Sequence, residues 1–261
     1  MTTDELQRIA RRRLEEYDLR APGQVLHCDP GFTTSEAYEL QGEVARLREQ
    51  RGERVIGFKV GCTSRPIQKQ LSMDGPVFGR LFDTESHRSG TRLSYARYAS
   101  LAVEGELAVR MSRDLDGGSP LSDEECLGAV ESAFPVVELH HYVLHGAHSP
   151  GPELIASNAM HAGFVLAERE TRYSGPPDLV FSLSIRINEM VVDAVGDSGG
   201  IISPLGSLRW LAGRLAGFGL RLVAGQVVLT GSPMKLFPVA PGSRIVVEAP
   251  PLGESRAEIG P

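Results

Sequence analysis

Residues 101–111 read LAVEGELAVRM, an apolar run that two glutamates interrupt. Successive side chains of a β-strand point to opposite faces of the sheet, so Glu104 and Glu106 point the same way, about 7 Å apart along the strand. Val103 and Leu107 point the other way. The run therefore predicts a strand with two acids on one face. For two glutamates alone, a strand with one solvated face is the simpler interpretation.

Similar short β runs, separated by glycine and proline, continue through most of the chain beyond residue 54. They are VIGFKVGC, SLAVEGELAVRM, HAGFVLA, LVFSLSIRIN, MVVDAV, QVVLTG and SRIVVEA. Asn188 and Glu189 lie between two of these runs and predict a hairpin turn. Strands and helices do not alternate regularly, as they would in a doubly wound fold. We expect an α+β fold, a mixed and largely antiparallel β-roll with flanking helices.

The N-terminal part is predicted to be helical, which divides the chain into a small helical portion at 1–53 and a β-roll domain at 54–261. Apolar residues recur there at spacings of three and four. Thr33 and Glu36 form a capping box that opens the second of these helices.

Two further helices are expected inside the β-roll domain. Ser122 and Glu125 form another capping box, and we expect its helix to run as far as Pro135. The second covers residues 204–218, with Gly219 at its end.

Composition excludes several classes of protein. Among 261 residues, 27 Lys+Arg against 33 Asp+Glu give a net charge of −6, which argues against nucleic-acid binding. No stretch approaches the roughly 18 apolar residues of a membrane helix, and MTTDELQRIARRR lacks the apolar core of a signal peptide. Three widely spaced cysteines fit a reducing compartment. We expect a soluble, cytoplasmic protein with no nucleic-acid or membrane partner.

A third acid, Glu138, lies in the apolar run FPVVEL at 134–139. A buried carboxylate without a partner is costly, so it takes up a proton or pairs with a cation. A divalent metal ion is the simplest partner for Glu104, Glu106 and Glu138 together. Three carboxylates suit Mg²⁺ or Mn²⁺ and leave positions for water or substrate. Such a site can chelate a 2-oxo acid and stabilise its enolate.

Lys59 is the next candidate, because VIGFKVGC places one cation in an apolar, glycine-flanked run. Alone, a lysine on an edge strand is the simpler interpretation. Beside a metal-bound enolate, Lys59 can move a proton or hold the substrate carboxylate.

Several segments together resemble one group of enzymes. They are IGFKVGCTSRPIQKQLSMDGPVFGRLF (56–82), EGELAVRMSRDL (104–115), FPVVEL (134–139), SPLGSLRWLAGRLAGFGLRLVAG (203–225) and QVVLTGSP (226–233). The sequence resembles the 2-oxopent-4-enoate hydratase and 4-oxalocrotonate decarboxylase group of the fumarylacetoacetate hydrolase superfamily, which degrades aromatic ring-cleavage products. The resemblance implies homo-oligomers, a Mg²⁺ or Mn²⁺ ion on the three glutamates and Lys59 in the pocket. It also implies that Thr230 and Gly231 hold the substrate carboxylate.

Departures from the family pattern concern proton transfer. Hydratases of this group usually carry an acid just after the segment that matches residues 79–82, and Asp83 is the candidate here. His140-His141-Tyr142 replaces an Asp-Ser-Arg-like stretch, which makes His141 an alternative general acid or base. Asn158 belongs to a Ser-Asn pair where Asp-Asn is common, and it is expected to contact substrate.

Two other signals are weaker. His140, His141, His145 and His148 fall within nine residues, and a histidine on a lid is favoured over a separate transition-metal site. Ser198 in GDSGG matches nucleophile motifs, but glycines separate it from the next helix and no histidine follows it. We interpret this segment as a glycine loop.

The sequence therefore predicts a metal-dependent lyase that hydrates a short 2-oxo or 2-hydroxydienoic acid. Decarboxylation of a 2-oxo dicarboxylic acid needs the same electron sink and stays open. Hydrolysis of an acylpyruvate carbon–carbon bond is a second alternative. A catalytically silent subunit that binds a small acid is the alternative outside enzyme chemistry.

Overall fold

The computed structural model describes residues 1–21, 33–143, 151–173, 182–196 and 204–261. The α-helices in these ranges are α1 (Thr3–Asp18), α2 (Thr34–Gln50), α3 (Arg65–Gln70), α4 (Asp123–Leu127), α5 (Gly151–Ala156) and α6 (Pro204–Ala216). The strands are β1 (Val55–Gly61), β2 (Val77–Phe82), β3 (Ser86–His87), β4 (Thr91–Ser94), β5 (Leu101–Met111), β6 (Val130–His141), β7 (His161–Val165), β8 (Thr171–Arg172), β9 (Leu183–Ile187), β10 (Met190–Val195), β11 (Val227–Leu229), β12 (Phe237–Pro238), β13 (Arg244–Ala249) and β14 (Gly253–Gly260). None of the described helices is long and apolar enough to cross a membrane.

The strands form two mixed sheets. In the larger sheet the order is β2-β1-β11-β5-β6-β7-β3, with β12 also paired to β5 and β8 to β6. The smaller sheet has the order β10-β9-β13-β14-β4. Most pairs are antiparallel, and β1 with β11, β3 with β7 and β4 with β14 are parallel. The predicted α+β fold, a mixed β-roll with flanking helices, is confirmed.

The two long central strands, β5 and β6, separate two parts of the core. Their odd-numbered side chains join the main core, which also receives residues of the smaller sheet; examples are Val103, Leu107, Val137, Leu139, Ile185 and Val247. The even-numbered face carries a second, smaller cluster that includes Ala108, Phe134, Val136, Phe164 and Leu229. Gly105 allows the smaller sheet to approach, because a Cβ there would lie 3.1 Å from Met234 Sδ and 3.2 Å from Val247 Cγ1.

The N-terminal helices pack on the sheet as part of the same core. The predicted capping box of α2 is present, with Thr33 N–H donating to Glu36 Oε2 at 3.0 Å. Gln41 Nε2 donates to the carbonyl oxygens of Phe78 and Ile155, both at 2.9 Å, which ties α2 to β2 and α5. A domain boundary at residue 53 stays a prediction.

The local sequence correctly predicted one hairpin turn and wrongly predicted the end of one helix. Asn188 and Glu189 have φ of 51° and 69° and form the predicted hairpin turn between β9 and β10. The helix expected to run as far as Pro135 ends at Leu127, and Pro135 lies inside β6. Residue 135 falls between the part of β6 that pairs with β8 and the part that pairs with β7, so its missing N–H is tolerated.

A buried ionic cluster of Tyr17, Arg48, Glu53 and Glu85, called the Arg48 cluster below, joins the helices to the sheet. Arg48 contacts Glu53 and lies 2.7 Å from Glu85 Oε1, while Tyr17 Oη donates to the same oxygen. The guanidinium also covers the ring of Phe82 at 3.6 Å. Arg48 therefore contacts two buried carboxylates.

Replacing Arg48 with methionine is expected to lower the free energy of unfolding by about 3–5 kcal/mol, because the buried carboxylate of Glu85 loses its guanidinium partner. Chemical denaturation measures this change. Arg46→Met is the matched control, since Arg46 makes an exposed pair with Glu43 that contributes about 0–1 kcal/mol. Equal losses in the two variants would show that the Arg48 cluster does not stabilise the fold in this way.

Candidate metal centre

The register of β5 and β6 brings together the three acids predicted as metal ligands. Glu104 lies directly opposite Glu138 in the antiparallel ladder. Residues directly opposite each other share a face, and Glu106 shares it because it is two residues further along β5. Glu106 and Glu138 are fully buried, and Glu104 is partly exposed.

Lys59 reaches this face from β1, two strands away from β5. Its Nζ lies 2.9 Å from Glu138 Oε1, and the side chain is buried. Burial alone would lower the pKa of Lys59, but Glu138, Glu104 and Glu106 outweigh that effect and raise it above its ordinary value. Lys59 is therefore an ammonium ion beside three glutamate side chains.

Glu106 is held from the end of β11. The backbone N–H of Gly231 donates to Glu106 Oε1, whereas Oε2 is buried without a hydrogen bond. Gly231 has φ of 101°, and a Cβ there would lie 2.4 Å from Thr63 Cγ2, so this turn needs glycine. The Thr230 hydroxyl donates to the carbonyl oxygen of Leu107 at 2.8 Å, which makes it part of the frame around Glu106.

Two histidines that the sequence did not predict as site residues also contact the carboxylates. His140 Nε2 lies 3.0 Å from Glu104 Oε1 and 3.3 Å from Glu138 Oε2. His161 Nδ1 lies 2.7 Å from Glu138 Oε1. Burial alone would lower the pKa of His140, but Glu138 and Glu104 raise it to about 9. The alternation of side chains along β6 could have predicted that His140 lies on this face, because it is two residues beyond Glu138.

These residues fit a divalent cation. Glu106 Oε2 and Glu138 Oε2 are buried without hydrogen bonds. Ligand atoms of Glu104, Glu138 and His140 lie within 4.8 Å of one another. Burial and the charges of Glu138 and Glu104 raise the pKa of Glu106 well above its ordinary value, so the charged form of this side chain needs a further cation to be stable there. Carboxylate oxygens are the ligands that hard divalent ions prefer.

Asp83 lies apart from this cluster. It accepts hydrogen bonds from the backbone N–H and the Nε of Arg54, at 3.0 and 2.9 Å, in a largely exposed pair. Glu85, two residues further on, is the buried acid, and its Oε2 lies 4.0 Å from His161 Nε2. His161 therefore lies between the Arg48 cluster and Glu138, without a hydrogen bond to Glu85.

His141 occupies a different environment from His140. Strand alternation directs it to the other face of β6, where its Nδ1 accepts the N–H of Ala99 at 3.1 Å and its ring meets Tyr17 edge-on. A cavity of about 400 Å³ lies beside it, and none of the three glutamates predicted as ligands lines that cavity. Burial, with the charge of His140 adding to it, lowers the pKa of His141 to about 4.

This pKa predicts a pH-dependent stability. Between pH about 4 and 6.5 the unfolded chain binds a proton at residue 141 that the folded chain does not, so His141 costs stability as the pH falls through this range. His141→Asn keeps a hydrogen-bond acceptor and removes the titration. Relative to the wild type, this variant should gain on the order of 2–3 kcal/mol of unfolding free energy between pH 7 and pH 4. Parallel stability curves of the two proteins in denaturant melts would contradict this.

Asn158 uses its amide on the backbone of β2. Its Oδ1 accepts the N–H of Arg80 at 2.7 Å, and its Nδ2 donates to the carbonyl oxygen of Arg80 at 2.9 Å. The side chain thereby holds the turn before β7 against β2. His145, His148 and Ser198 lie outside the described residues.

Comparison with known proteins shows the family to which the chain belongs. No family model matches the chain. The 2-hydroxyhexa-2,4-dienoate hydratase of Comamonas testosteroni is 32% identical over 220 residues, which is 82% of this chain and 82% of that protein. The chain belongs to the 2-oxopent-4-enoate hydratase and 4-oxalocrotonate decarboxylase group. It is therefore an enzyme, a lyase, as the sequence predicted.

Other known proteins are similar to this chain in sequence or in fold. The 4-oxalocrotonate decarboxylase of Pseudomonas putida is 27% identical over 250 residues, covering 95% of this chain and 93% of that protein. The structure of 4-oxalocrotonate decarboxylase from Pseudomonas putida G7 with magnesium and adipate has a TM-score of 0.91 at 25% identity, covering 99% and 98% of the two chains. Fumarylpyruvate hydrolase from Pseudomonas aeruginosa, with Mn²⁺ and pyruvate, shares the fold at a TM-score of 0.61 and 14% identity, covering 78% and 88%.

Proposed function

We propose that this protein is a divalent-metal-dependent hydratase of a short 2-oxo or 2-hydroxydienoic acid, of the 2-oxopent-4-enoate type. The observation that carries the proposal is the register that sets Glu104 opposite Glu138, with Glu106 on the same face and Lys59 in contact with Glu138. Relatives named 2-keto-4-pentenoate hydratase, at 28–29% identity, support this choice of reaction.

Glu104, Glu106 and Glu138 would hold Mg²⁺ or Mn²⁺, which when bound supplies a Lewis acid that draws electron density out of a 2-oxo acid. The groups that orient these carboxylates are in place before substrate binds. Gly231 N–H orients Glu106, and Lys59 and His161 orient Glu138. Preorganised donors of this kind cost no reorganisation during the reaction.

Lys59 is the residue we assign to proton transfer. The ammonium group of Lys59 can donate a proton to substrate carbon or bind the substrate carboxylate, and it becomes a base only after it has donated. Protonation of C5, with loss of the enol proton, gives a conjugated 2-oxo-3-enoate. Water then adds its hydroxyl at C4 and its remaining proton at C3. Asp83 and His141 have no part in this scheme, because their side chains are engaged with Arg54 and Ala99.

Decarboxylation of a 4-oxalocrotonate-type acid is the second candidate, and a specific observation favours it. The decarboxylase structure matches nearly the whole chain with a TM-score of 0.91. Both reactions need the same electron sink, so the carboxylate cluster serves either. A homo-oligomer in the cytoplasm, in a pathway that degrades aromatic compounds, completes the proposal.

A substrate panel separates the candidates. Purified enzyme with Mg²⁺ or Mn²⁺, and with EDTA as the control, is given 2-hydroxypenta-2,4-dienoate, 4-oxalocrotonate and an acylpyruvate. Loss of dienol absorbance with uptake of water and no CO₂ supports hydration. Release of CO₂ from 4-oxalocrotonate identifies the decarboxylase, and pyruvate from the acylpyruvate identifies the hydrolase. Metal binding without turnover of any of the three compounds would indicate a catalytically silent subunit that binds a small acid.

A further inference from the structure

His140 is placed by the same strand geometry that places the carboxylates. It follows Glu138 by two residues on β6, so both side chains lie on one face. The residue opposite His140 in the ladder is Ala102, whose small side chain leaves the imidazole free to reach Glu104 diagonally. Its Nε2 lies 3.0 Å from Glu104 Oε1 and 3.3 Å from Glu138 Oε2.

We infer that His140 is a nitrogen ligand of the proposed metal centre and makes that centre select Mn²⁺ over Mg²⁺. The inference rests on the proposed function, because it assumes that Glu104 and Glu138 bind a divalent ion. It adds a ligand of a different chemical class to a set otherwise made of carboxylates.

The oxygens that His140 faces are the ones available to an ion. Glu138 Oε2 is buried without a hydrogen bond, whereas Glu138 Oε1 is bonded by Lys59 and His161. His140 Nε2 and one oxygen each from Glu104 and Glu138 lie within 4.8 Å of one another, which is a spacing compatible with ligands of one ion. His161 is not placed to bind the same ion, because its Nδ1 contacts Glu138 Oε1, the oxygen that Lys59 also contacts.

The donor set has a consequence for metal choice. Mg²⁺ strongly prefers oxygen ligands in octahedral geometry and gains little from an imidazole. Imidazole suits transition metals better, and affinity for sites with nitrogen ligands rises from Mn²⁺ onward along the first transition row. A carboxylate set that includes His140 therefore favours Mn²⁺ over Mg²⁺, and a set of carboxylates alone discriminates less between these two ions.

The test combines metal affinity with the spectrum of bound Mn²⁺. Wild-type protein, His140→Asn and the control His141→Asn are titrated with Mn²⁺ and with Mg²⁺, and the Mn²⁺ complexes are studied by pulsed EPR. We expect the hyperfine coupling of a directly bound ¹⁴N in the wild type and in His141→Asn, and its loss in His140→Asn. The ratio of Mn²⁺ to Mg²⁺ affinity should fall on the order of tenfold in His140→Asn and stay unchanged in His141→Asn.

The outcomes separate this inference from the proposed function. Wild-type protein that binds neither ion would overturn both. Tight Mn²⁺ binding without a directly bound ¹⁴N, or with a coupling that survives in His140→Asn, would overturn the role of His140 alone. If His140→Asn fails to fold, wild-type protein with ¹⁵N-labelled histidine replaces it. The ¹⁴N coupling must then change to that of ¹⁵N, and an unchanged spectrum would refute the inference.

Discussion

Glu138→Gln is expected to abolish turnover and metal binding together. The substitution keeps the shape of the side chain and removes the charge that Lys59, His140 and His161 all contact. Because that charge helps hold the proposed metal ion, kcat/KM should fall by at least about 10³-fold, equivalent to about 4 kcal/mol of transition-state stabilisation. Steady-state kinetics at saturating Mg²⁺, together with a Mg²⁺ titration, measure both effects.

The matched control for this variant is on the same strand. Glu131 is an exposed residue of β6, so Glu131→Gln makes the same chemical change outside the carboxylate cluster. It should keep kcat/KM within about twofold, as surface substitutions usually do. Glu138→Gln with turnover within tenfold of the wild type at saturating Mg²⁺ would remove Glu138 from the metal centre.

Lys59→Met is expected to separate catalysis from metal binding. Removing the ammonium takes away the assigned proton donor, so kcat/KM should fall by about 10²–10⁴-fold. The metal should bind at least as tightly as in the wild type, because a cation that repels it has been removed from contact with Glu138. Kinetics and calorimetric titration with Mg²⁺ test the two halves of this prediction.

Lys69→Met controls for the loss of one positive charge. Lys69 is an exposed residue of α3, and its removal should change neither quantity measurably. Loss of metal binding in Lys59→Met, in parallel with loss of activity, would indicate that Lys59 only supports the carboxylates. It would then have no separate role in proton transfer.

Much of the site could be predicted because strand alternation is a local property. The pattern of LAVEGELAVRM was enough to place Glu104 and Glu106 on one face. Glu138 was found because a lone acid in an apolar run needs a partner. That Glu104 lies opposite Glu138 could not be read from either segment, because register depends on the whole ladder.

The parts that sequence reasoning missed depend on long-range geometry. Glu85, rather than Asp83, is buried because the turn after β2 directs it toward Arg48 and His161, which come from distant segments. His161 follows three residues with positive φ, a backbone that no local signal predicts. In the sequence, Pro135 is typical of a residue that ends a helix. Its place in β6 is explained only by the gap between the two strands that pair with β6 on that side, β8 and β7.

The alternation along β5 restricts how this part of the gene can diverge. Deleting or inserting one residue at 101 or 102, with the preceding chain held in place, would turn Glu104 and Glu106 into the main core and bring Val103 and Leu107 to the site. Point substitutions leave this arrangement of faces intact. We therefore expect functional relatives to keep Glu104, Gly105 and Glu106, to vary in residue identity elsewhere along this strand, and to keep its length or change it only by even numbers.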